Sequence, residues 1–484
     1  GLCQRGRRMT TIAQYFQQLD AERILLLHIA RSDANATTYR ISSKPYATES
    51  TDTPASTLYS PILAGLPEFR RTLNEPWDGG ASTGFGTVTL IDDEAAYTNS
   101  VPASGFATMT LPRGSVVTVK MAAPRHLYPL ADAVTLAVGR VNRLGGDSDD
   151  RRTLEIVDQT KTIAAAPITV DVTQGPLTYG EAYHITPVLV DPGTLKYSVH
   201  GDGAVQSIDD VFDDGVPVTF TATASAGTFT LALAPTGKVT ANVKGAKPTL
   251  SGTPTYVTST QAIMERLIAR AGITGLSTSF SLPSDTIGYH IAASTTLGEC
   301  LTELARGCGG YWLIDRTGTL VVAQYPVPAS GGSTFDATAI LDQVTWPEWD
   351  RLHNPIRYQY KPNWSPGLQA KPAATTAVAN FLAGQGEVGS VSITPAAETT
   401  YTESPIFRTF FATQTPAEDV AERLRTLYSV PRKVMECTLP YSETLSIGST
   451  LSLTFSGTTY DGAVIAVADV FGEGPPVQRL SVLV

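Results

Sequence analysis

Residues 296–322 read TLGECLTELARGCGGYWLIDRTGTLVV and contain three consecutive structural signals. Thr296 and Glu299 have the spacing of a capping box, which predicts that a helix begins here. An aromatic stretch at residues 311–314 predicts a strand, and a turn at residues 315–318 leads into a second apolar stretch. These residues therefore predict a helix followed by a hairpin.

A second amphipathic helix is predicted just before this element. Ile263, Met264 and Leu267 recur at helical spacing, with Thr260 as the expected N-cap and Gly272 as the stop. Together the two helices and the hairpin predict a small α+β domain over residues 253–330.

Strand and turn patterns dominate the rest of the chain. A short helix at residues 10–19 is followed by alternating apolar and polar residues, which predict an N-terminal β-barrel or sandwich over residues 9–165. A second β domain is expected at 166–252 and a C-terminal β-barrel at 331–484. The predicted fold class is therefore mainly β, multi-domain, with a small α+β insertion.

One helix, at residues 415–429, is expected within the C-terminal domain. Thr415 and Glu418 have capping-box spacing, and Pro416 stands at the predicted first helical position. At the other end of the chain, residues 1–8 precede Met9 without an apolar segment, and we expect them to be a non-native or mis-assigned extension.

Composition excludes several classes of function. The net charge is −10 and no basic cluster is visible, which argues against a general nucleic-acid binder. No apolar run approaches the roughly 20 residues of a membrane helix, so no stable membrane insertion is expected. Charged residues make up 17% of the chain, below the roughly 25% of typical domains. Such surfaces occur where neighbouring subunits cover a chain, although β-rich secreted proteins share them.

The sequence offers no catalytic motif. The six histidines are scattered singly, and neither a nucleophile elbow nor a phosphate loop is present. Asp209, Asp210, Asp213 and Asp214 suggest a glycosidase pair, but Asp-Asp-Gly before a strand is also what a hairpin turn requires. The turn is the favoured interpretation, and no catalytic residue is predicted.

Three cysteines allow two interpretations. Cys300 and Cys308 fall on one helix face, as small core residues do. The alternative is an iron–sulfur cluster that also uses Cys437, but such clusters generally need four thiolates, and Cys3 lies in the predicted extension. We therefore expect no cofactor and no metal.

Aromatic residues interleaved with proline form the remaining candidate site. They are suited to a subunit interface or to core packing, where Trp and Tyr are common, and less to a sugar-stacking platform. The predicted interface residues are Trp346, Trp349, Tyr358, Tyr360 and Trp364.

Several segments resemble tail and baseplate proteins of long-tailed, siphovirus-like phages and prophages. Residues 38–73 and 176–220 share this resemblance, and residues 296–322 look like the helix-then-hairpin element of baseplate hub proteins. The residues Tyr460-Asp461-Gly462, interpreted as a turn, are similar to the closing hairpin of hub barrels.

A hub resemblance implies tube-like β-barrels that close into a ring around the central channel, usually as a trimer, at the distal end of the virion tail. Expected partners are the tail tube or distal tail protein and a fibre, spike or tape-measure protein. Phage DNA would pass without specific binding, and assembly would take place in the host cytoplasm. The resemblance supplies no catalytic residues, so the chain is not expected to be an enzyme. The alternatives are a distal-tail ring adaptor, which implies a hexamer, and a glycan-binding or glycan-degrading tail protein.

Overall fold

The computed structural model describes residues 11–16, 21–32, 38–66, 68–91, 111–148, 151–250, 252–349, 352–394, 400–471 and 475–484. The chain is mainly β with few helices, as predicted. The described helices are α1 (Ile12–Phe16), α2 (Thr160–Ala164), α3 (Thr260–Arg270), α4 (Leu297–Gly307), α5 (Thr376–Ala383) and α6 (Gln414–Tyr428). The predicted extension at residues 1–8 lies outside the described residues, as do residues 17–19 of the first predicted helix.

An antiparallel sheet of seven strands, the N-terminal sheet, forms most of the first module. Its alternating residues, such as Leu27, Ile29 and Val119, are buried in one apolar core. Strand Val116–Ala122 shows the alternation, whereas both faces of Ile24–Ala30 are covered, because Ile24 and Leu26 pack in a second, smaller core. In spatial order the strands are Thr38–Ser42, Ile24–Ala30, Val116–Ala122, Val134–Ser148, Arg151–Val157, Thr87–Ile91 and Leu63–Gly65.

The second β module is a sandwich of a five-stranded and a four-stranded sheet, whose inner faces share one core. Gly180 and Gly288 are paired where two strands approach closely, and a Cβ on either would lie within 2 Å of a neighbouring carbonyl oxygen. The five strands are Val216–Pro217, Val205–Asp213, Val239–Ala246, Leu177–Ile185 and Gly288–Ile291; the four are Val188–Asp191, Lys196–Ser198, Thr228–Leu231 and Phe220–Thr223. Because Gly288–Ile291 belongs to the predicted α+β domain, the sandwich extends beyond the predicted 166–252.

The helix–helix–hairpin module is present, with one correction to its caps. The N-cap of α3 is Ser259, whose hydroxyl accepts from the Ala262 amide, and not Thr260. Thr260 is fully buried instead, with its hydroxyl 3.1 Å from the Cys308 Sγ. The predicted capping box of Thr296 and Glu299 on α4 is confirmed. Strands Gly310–Ile314 and Leu320–Gln324 form the hairpin, and Thr278–Ser281 pairs parallel to the latter.

The C-terminal sheet contains a part of the chain that was not predicted there. Strand Phe69–Leu73 pairs with Thr458–Val470 and carries Ala81–Gly84 on its other side. The predicted N-terminal domain at residues 9–165 is therefore divided between two sheets. The other strands are Ser333–Phe335, Thr450–Phe455, Val477–Leu483, Arg432–Pro440 and Glu348–Trp349.

Three local predictions in the C-terminal region were wrong. The N-cap of α6 is Thr413 without a side-chain bond, so Thr415 and Glu418 form no capping box. A further helix, α5, begins after Thr375, whose hydroxyl accepts from a backbone amide. The predicted turn at residues 460–462 lies inside strand Thr458–Val470, and the hairpin turns at Ser456 and Gly457, both with positive φ.

The remaining strands form small sheets between these modules. Glu387–Val391 and Phe407–Arg408 flank Ile356–Tyr360 in a three-stranded sheet. Three two-stranded ladders complete the described strands: Tyr46–Ala47 with Leu58–Tyr59, Pro167–Ile168 with Thr295–Thr296, and Thr249–Leu250 with Thr253–Pro254.

A buried ion pair stabilises the junction of the N-terminal strand with the C-terminal sheet. The Arg71 guanidinium donates to the Asp469 carboxylate over 2.5 Å, and both residues are buried. The second carboxylate oxygen of Asp469 accepts from the Gln478 side-chain amide at 2.7 Å. Both carboxylate oxygens are therefore hydrogen-bonded, but only Arg71 compensates the charge. Removing Arg71 would leave the Asp469 carboxylate buried without a countercharge.

We expect Arg71→Met to lower the free energy of unfolding by about 3–5 kcal/mol, because Asp469 remains buried and unpaired. The measurement is urea unfolding followed by circular dichroism. Arg70→Met, one residue earlier and exposed, is the matched control and should change stability by less than about 0.5 kcal/mol. Equal losses in the two variants would contradict a stabilising role for the buried pair.

Candidate functional site

A cleft of about 760 Å³ opens between α4 and strand Gly288–Ile291. We name it the aromatic cleft. The side chains that give it its chemical character are Tyr289, His290, Glu299, Glu303, Trp312 and Trp364.

Helix α4 supplies the acidic side of the aromatic cleft. Leu301 and Leu304 are fully buried on one face, while Glu299 and Glu303, four residues apart, are exposed on the other. Glu299 is occupied in the capping box, where its carboxylate accepts from the Thr296 amide. Glu303 is therefore the carboxylate that is freer to bind something else.

Hydrogen bonds fix two of the aromatic walls. The indole N–H of Trp312 donates to the Thr302 hydroxyl at 2.9 Å. The Tyr289 hydroxyl donates to Glu303 Oε2 at 2.8 Å, and burial raises the pKa of Tyr289 well above its usual range, so the phenol stays protonated. Both rings are thus held in place by residues of α4.

Trp364 forms the third wall and is held by aromatic packing. Its ring stacks on Phe410, with centroids 5.8 Å apart and planes inclined by 8°, and it meets Tyr289 and His290 edge-on. Stacked and edge-to-face contacts of this kind favour a defined ring orientation. Trp364 thereby presents a fixed indole to the cleft.

A chain of buried polar groups lies behind His290. The Thr178 amide donates to His200 Nδ1 at 3.0 Å, and the Thr178 hydroxyl lies 2.7 Å from the Val199 carbonyl and 3.0 Å from His290 Nδ1. Burial lowers the pKa of His200 to about 4 and that of His290 to about 3. Both imidazoles are therefore neutral at neutral pH.

The chemistry of the aromatic cleft fits recognition. Cys300, behind the Tyr289 wall, is fully buried, and burial raises the pKa of its thiol to about 11, so it carries no nucleophilic thiolate at neutral pH. His290, with a pKa of about 3, is a weak base. Aromatic faces beside carboxylates are suited to binding a cation or a polar ligand.

The five predicted interface residues do not form one surface. Trp364 lines the aromatic cleft, whereas Tyr358 is 1% exposed and packs in the core of the chain. Trp346 packs against Tyr460 with ring centroids 4.8 Å apart, and Tyr360 donates to Glu387. Trp349 packs against the central core near Tyr428. Tyr358 is therefore not available to a partner.

The predicted cluster ligands are also separated. Cys300 and Cys308 belong to the central core, whereas Cys437 lies in the core of the C-terminal sheet. Burial raises the pKa of the Cys308 thiol to about 12 and that of Cys437 to about 11. In the described part of the chain, no group of three or more Cys, His, Asp or Glu side chains has the geometry of a metal site.

The paired aspartates serve a hairpin. Asp214 and Gly215 both have positive φ and turn the chain between Val205–Asp213 and Val216–Pro217, as the favoured interpretation predicts. Asp213 accepts from the amide of Gly237 and pairs with Lys371 at 2.7 Å. Asp209 and Asp214 are five residues apart, about 16 Å of extended strand, which is too far for a glycosidase pair.

Tyr289, Glu303 and Trp312 were not predicted as site residues. Each lies in a helix or strand whose apolar pattern already explains it, so nothing marked it as a functional residue. The three come together only through pairing between strands that are distant in sequence. The available signal was the amphipathic pattern of α4, which leaves Glu299 and Glu303 on one exposed face.

Comparison with solved structures returns tail proteins that align with most of this chain at low identity. No family model and no curated protein matches the sequence. Two of the similar solved structures are the 43 kDa tail protein of prophage MuSo2 from Shewanella oneidensis (9% identity, 95% of this chain and 97% of that one, TM-score 0.41) and a tail protein from Neisseria meningitidis (8%, 95% and 96%, 0.46). A third is a prophage tail protein from Listeria monocytogenes (11%, 86% and 94%, 0.35).

All three structures are named as tail proteins, two of them from prophages. All three TM-scores lie below 0.5, so function has to be argued from the chain's own residues.

Among the described residues, no helix is both long and apolar enough to span a bilayer.

The buried histidines give the stability of the fold a pH dependence. In the unfolded chain His200 and His290 bind protons below about pH 6.5, whereas in the folded chain they do so only near pH 4 and pH 3. Keeping these two imidazoles neutral therefore costs no stability above about pH 6.5, and the free energy of unfolding falls as the pH drops below that value. Each lowers the free energy of unfolding by up to about 1.4 kcal/mol per pH unit within this window.

We expect His290→Gln to reduce that slope by about 1 kcal/mol per pH unit, measured by urea unfolding between about pH 5 and pH 6.5. His126→Gln, at an exposed position, is the control. An equal change of slope in both variants would show that burial of His290 is not the cause.

Proposed function

We propose that this chain is a structural subunit of a phage tail tip: a baseplate hub that caps or continues the tail tube, encloses the central channel and binds fibre or spike proteins. The observation that carries the proposal is the element at residues 296–322, which resembles the helix-then-hairpin element of hub proteins. Helix α4, strand Gly310–Ile314, a turn at Gly318 with positive φ and strand Leu320–Gln324 follow one another as that resemblance requires.

The connection between the two ends of the chain supports a structural role. Strand Phe69–Leu73 pairs with Thr458–Val470 over four residue pairs, and the buried Arg71–Asp469 pair lies within this ladder. Such a ladder joins the first module to the last across the whole chain. This connection supports a role in which the subunit holds a tail tube and a fibre together.

The electrostatic properties are consistent with a DNA conduit. The net charge of −10 disfavours adhesion of a passing polyanion. The residues considered as possible catalytic or cluster-binding groups have partners within the chain or are buried. Asp213 is paired with Lys371, and the Cys308 thiol is buried. Both points support passage of DNA without specific binding and a role without catalysis.

An unprotected sheet edge supports association into a ring. Strand Phe220–Thr223 is the outer strand of the four-stranded sheet, and Thr221, Ala222 and Thr223 are exposed. Edge strands of monomers are usually protected by charges, proline or bulges, and this strand contains no charge and no proline. It is suited to pairing with a neighbouring subunit.

We expect the purified chain to form a closed ring, observed as a discrete oligomer by size-exclusion light scattering and as rings by negative-stain microscopy. A mass of three chains supports the hub, and a mass of six supports the distal-tail adaptor. A monomer at every concentration would refute the ring.

Ala222→Lys should shift the oligomer toward monomer, because it places a charge on the outer strand. Ala226→Lys makes the same substitution at an exposed alanine in a neighbouring turn and should leave the mass unchanged. A loss of the oligomer in both variants, or in neither, would contradict pairing through this edge.

A further inference from the structure

Two buried polar atoms in the walls of the aromatic cleft have no hydrogen-bond partner among the described residues. They are Nε2 of His290 and the indole Nε1 of Trp364. His290 is only 7% exposed, so water does not readily replace the missing partner. Unpaired buried polar atoms are uncommon in folded proteins and carry a free-energy penalty, which a bound group can relieve.

The hydrogen bonds behind His290 determine what its free nitrogen can do. The Thr178 hydroxyl donates to the Val199 carbonyl, the shorter of its two contacts, and therefore accepts from His290 Nδ1. In a neutral imidazole with the proton on Nδ1, Nε2 carries a lone pair. His290, in the wall of the cleft, therefore has an unpaired acceptor, and Trp364 has an unpaired donor.

The charge of the cleft has one sign. Among the described residues that line it, Glu299 and Glu303 are acidic and none is Lys or Arg. Glu303 uses only Oε2 to accept from Tyr289, so Oε1 is available. Arg408 is close enough to interact electrostatically with Glu303 but forms no ion pair with it. A cation entering the cleft would therefore meet a carboxylate that is in no ion pair with a described Lys or Arg side chain.

We propose that the aromatic cleft binds an arginine side chain carried on an extended segment of a basic partner protein. The guanidinium is planar, donates several hydrogen bonds and stacks on aromatic rings, which matches Glu303, the Nε2 of His290 and the Trp and Tyr walls. A backbone carbonyl of the same segment supplies the acceptor that the Trp364 indole lacks. Lysine offers a charge of the same sign without the planar fork.

The charge balance favours a different protein over a second copy as the source of the arginine. The chain carries a net charge of −10, so its long-range electrostatic attraction is strongest for a cationic protein. A basic partner is attracted both by the whole chain and by the cleft. This site is independent of the proposed ring, which uses a different surface.

The test titrates the full-length protein into a fluorescein-labelled nonapeptide of Gly and Ser with one central Arg, followed by fluorescence anisotropy. Matched peptides carry Lys or Gln at the centre. We expect saturable binding of the Arg peptide, weaker binding of the Lys peptide and none of the Gln peptide. Added salt should weaken the binding.

Glu303→Gln should weaken binding of the Arg peptide about tenfold or more, because it removes a charged hydrogen bond. Glu387→Gln is the matched control, since Glu387 also accepts a tyrosine hydroxyl at 2.8 Å but lies outside the cleft. Trp364→Phe keeps an aromatic ring but loses the indole donor, and should weaken binding several-fold. Circular dichroism of each variant verifies that it is folded.

Three outcomes would overturn the proposal. They are no saturable binding at protein concentrations up to about 1 mM, equal binding of the Arg and Gln peptides, and equal effects of Glu303→Gln and Glu387→Gln. Binding of neutral oligosaccharides in place of the Arg peptide, lost in Trp364→Phe, would identify a glycan site instead. Association of the unlabelled chain with itself, abolished by Glu303→Gln, would identify a second copy as the occupant.

Discussion

Burial of one face of α4 is the constraint on which the centre of the molecule depends. Leu297, Leu301 and Leu304 are fully buried, and each contributes about 1.5–3 kcal/mol relative to exposure. Two glycines let the helix approach its neighbours closely: a Cβ at Gly298 would lie 2.7 Å from Ala164, and one at Gly307 would lie 2.6 Å from the Phe410 ring. With these contacts in place, the helix cannot rotate without opening the core. Its exposed face therefore has one orientation, and the acidic side of the aromatic cleft follows from it.

The same dependence extends to the ends of the chain. Leu73 of the N-terminal strand and Leu483 near the C-terminus both belong to the central core that α4 fills. The ladder of Phe69–Leu73 with Thr458–Val470 brings the first of them there, and the buried Arg71–Asp469 pair stabilises that ladder. Since a buried charge is tolerated only beside its partner, the pair also opposes alternative pairings of this strand. The boundary between the N-terminal and C-terminal modules is thus a shared sheet and not a linker.

Local features were predictable from sequence, and distant pairings were not. The capping box of Thr296, the hairpin after α4 and the Asp214-Gly215 turn depend on residues within a few positions of one another. Nothing local in Phe69–Leu73 indicates that the partner of this strand lies almost four hundred residues later. Ser259 and Thr260 illustrate a smaller limit. Both residue types cap helices, and only the burial of Thr260 against Cys308 decides between them.

Glu303 in the aromatic cleft differs from several other acidic residues of the chain in its hydrogen-bond partners. The carboxylates of Asp171, Asp315 and Asp336 each accept from the amide and hydroxyl of the threonine two positions later, which closes a local turn. Such groups are occupied by their own backbone, so they add charge without providing a binding site. Glu303 instead accepts from the Tyr289 hydroxyl through Oε2, so its Oε1 remains available. The same cleft contains the unpaired His290 Nε2 and Trp364 Nε1. Glu303 therefore differs from these three aspartates in keeping a free acceptor, and the proposed arginine site depends on that acceptor.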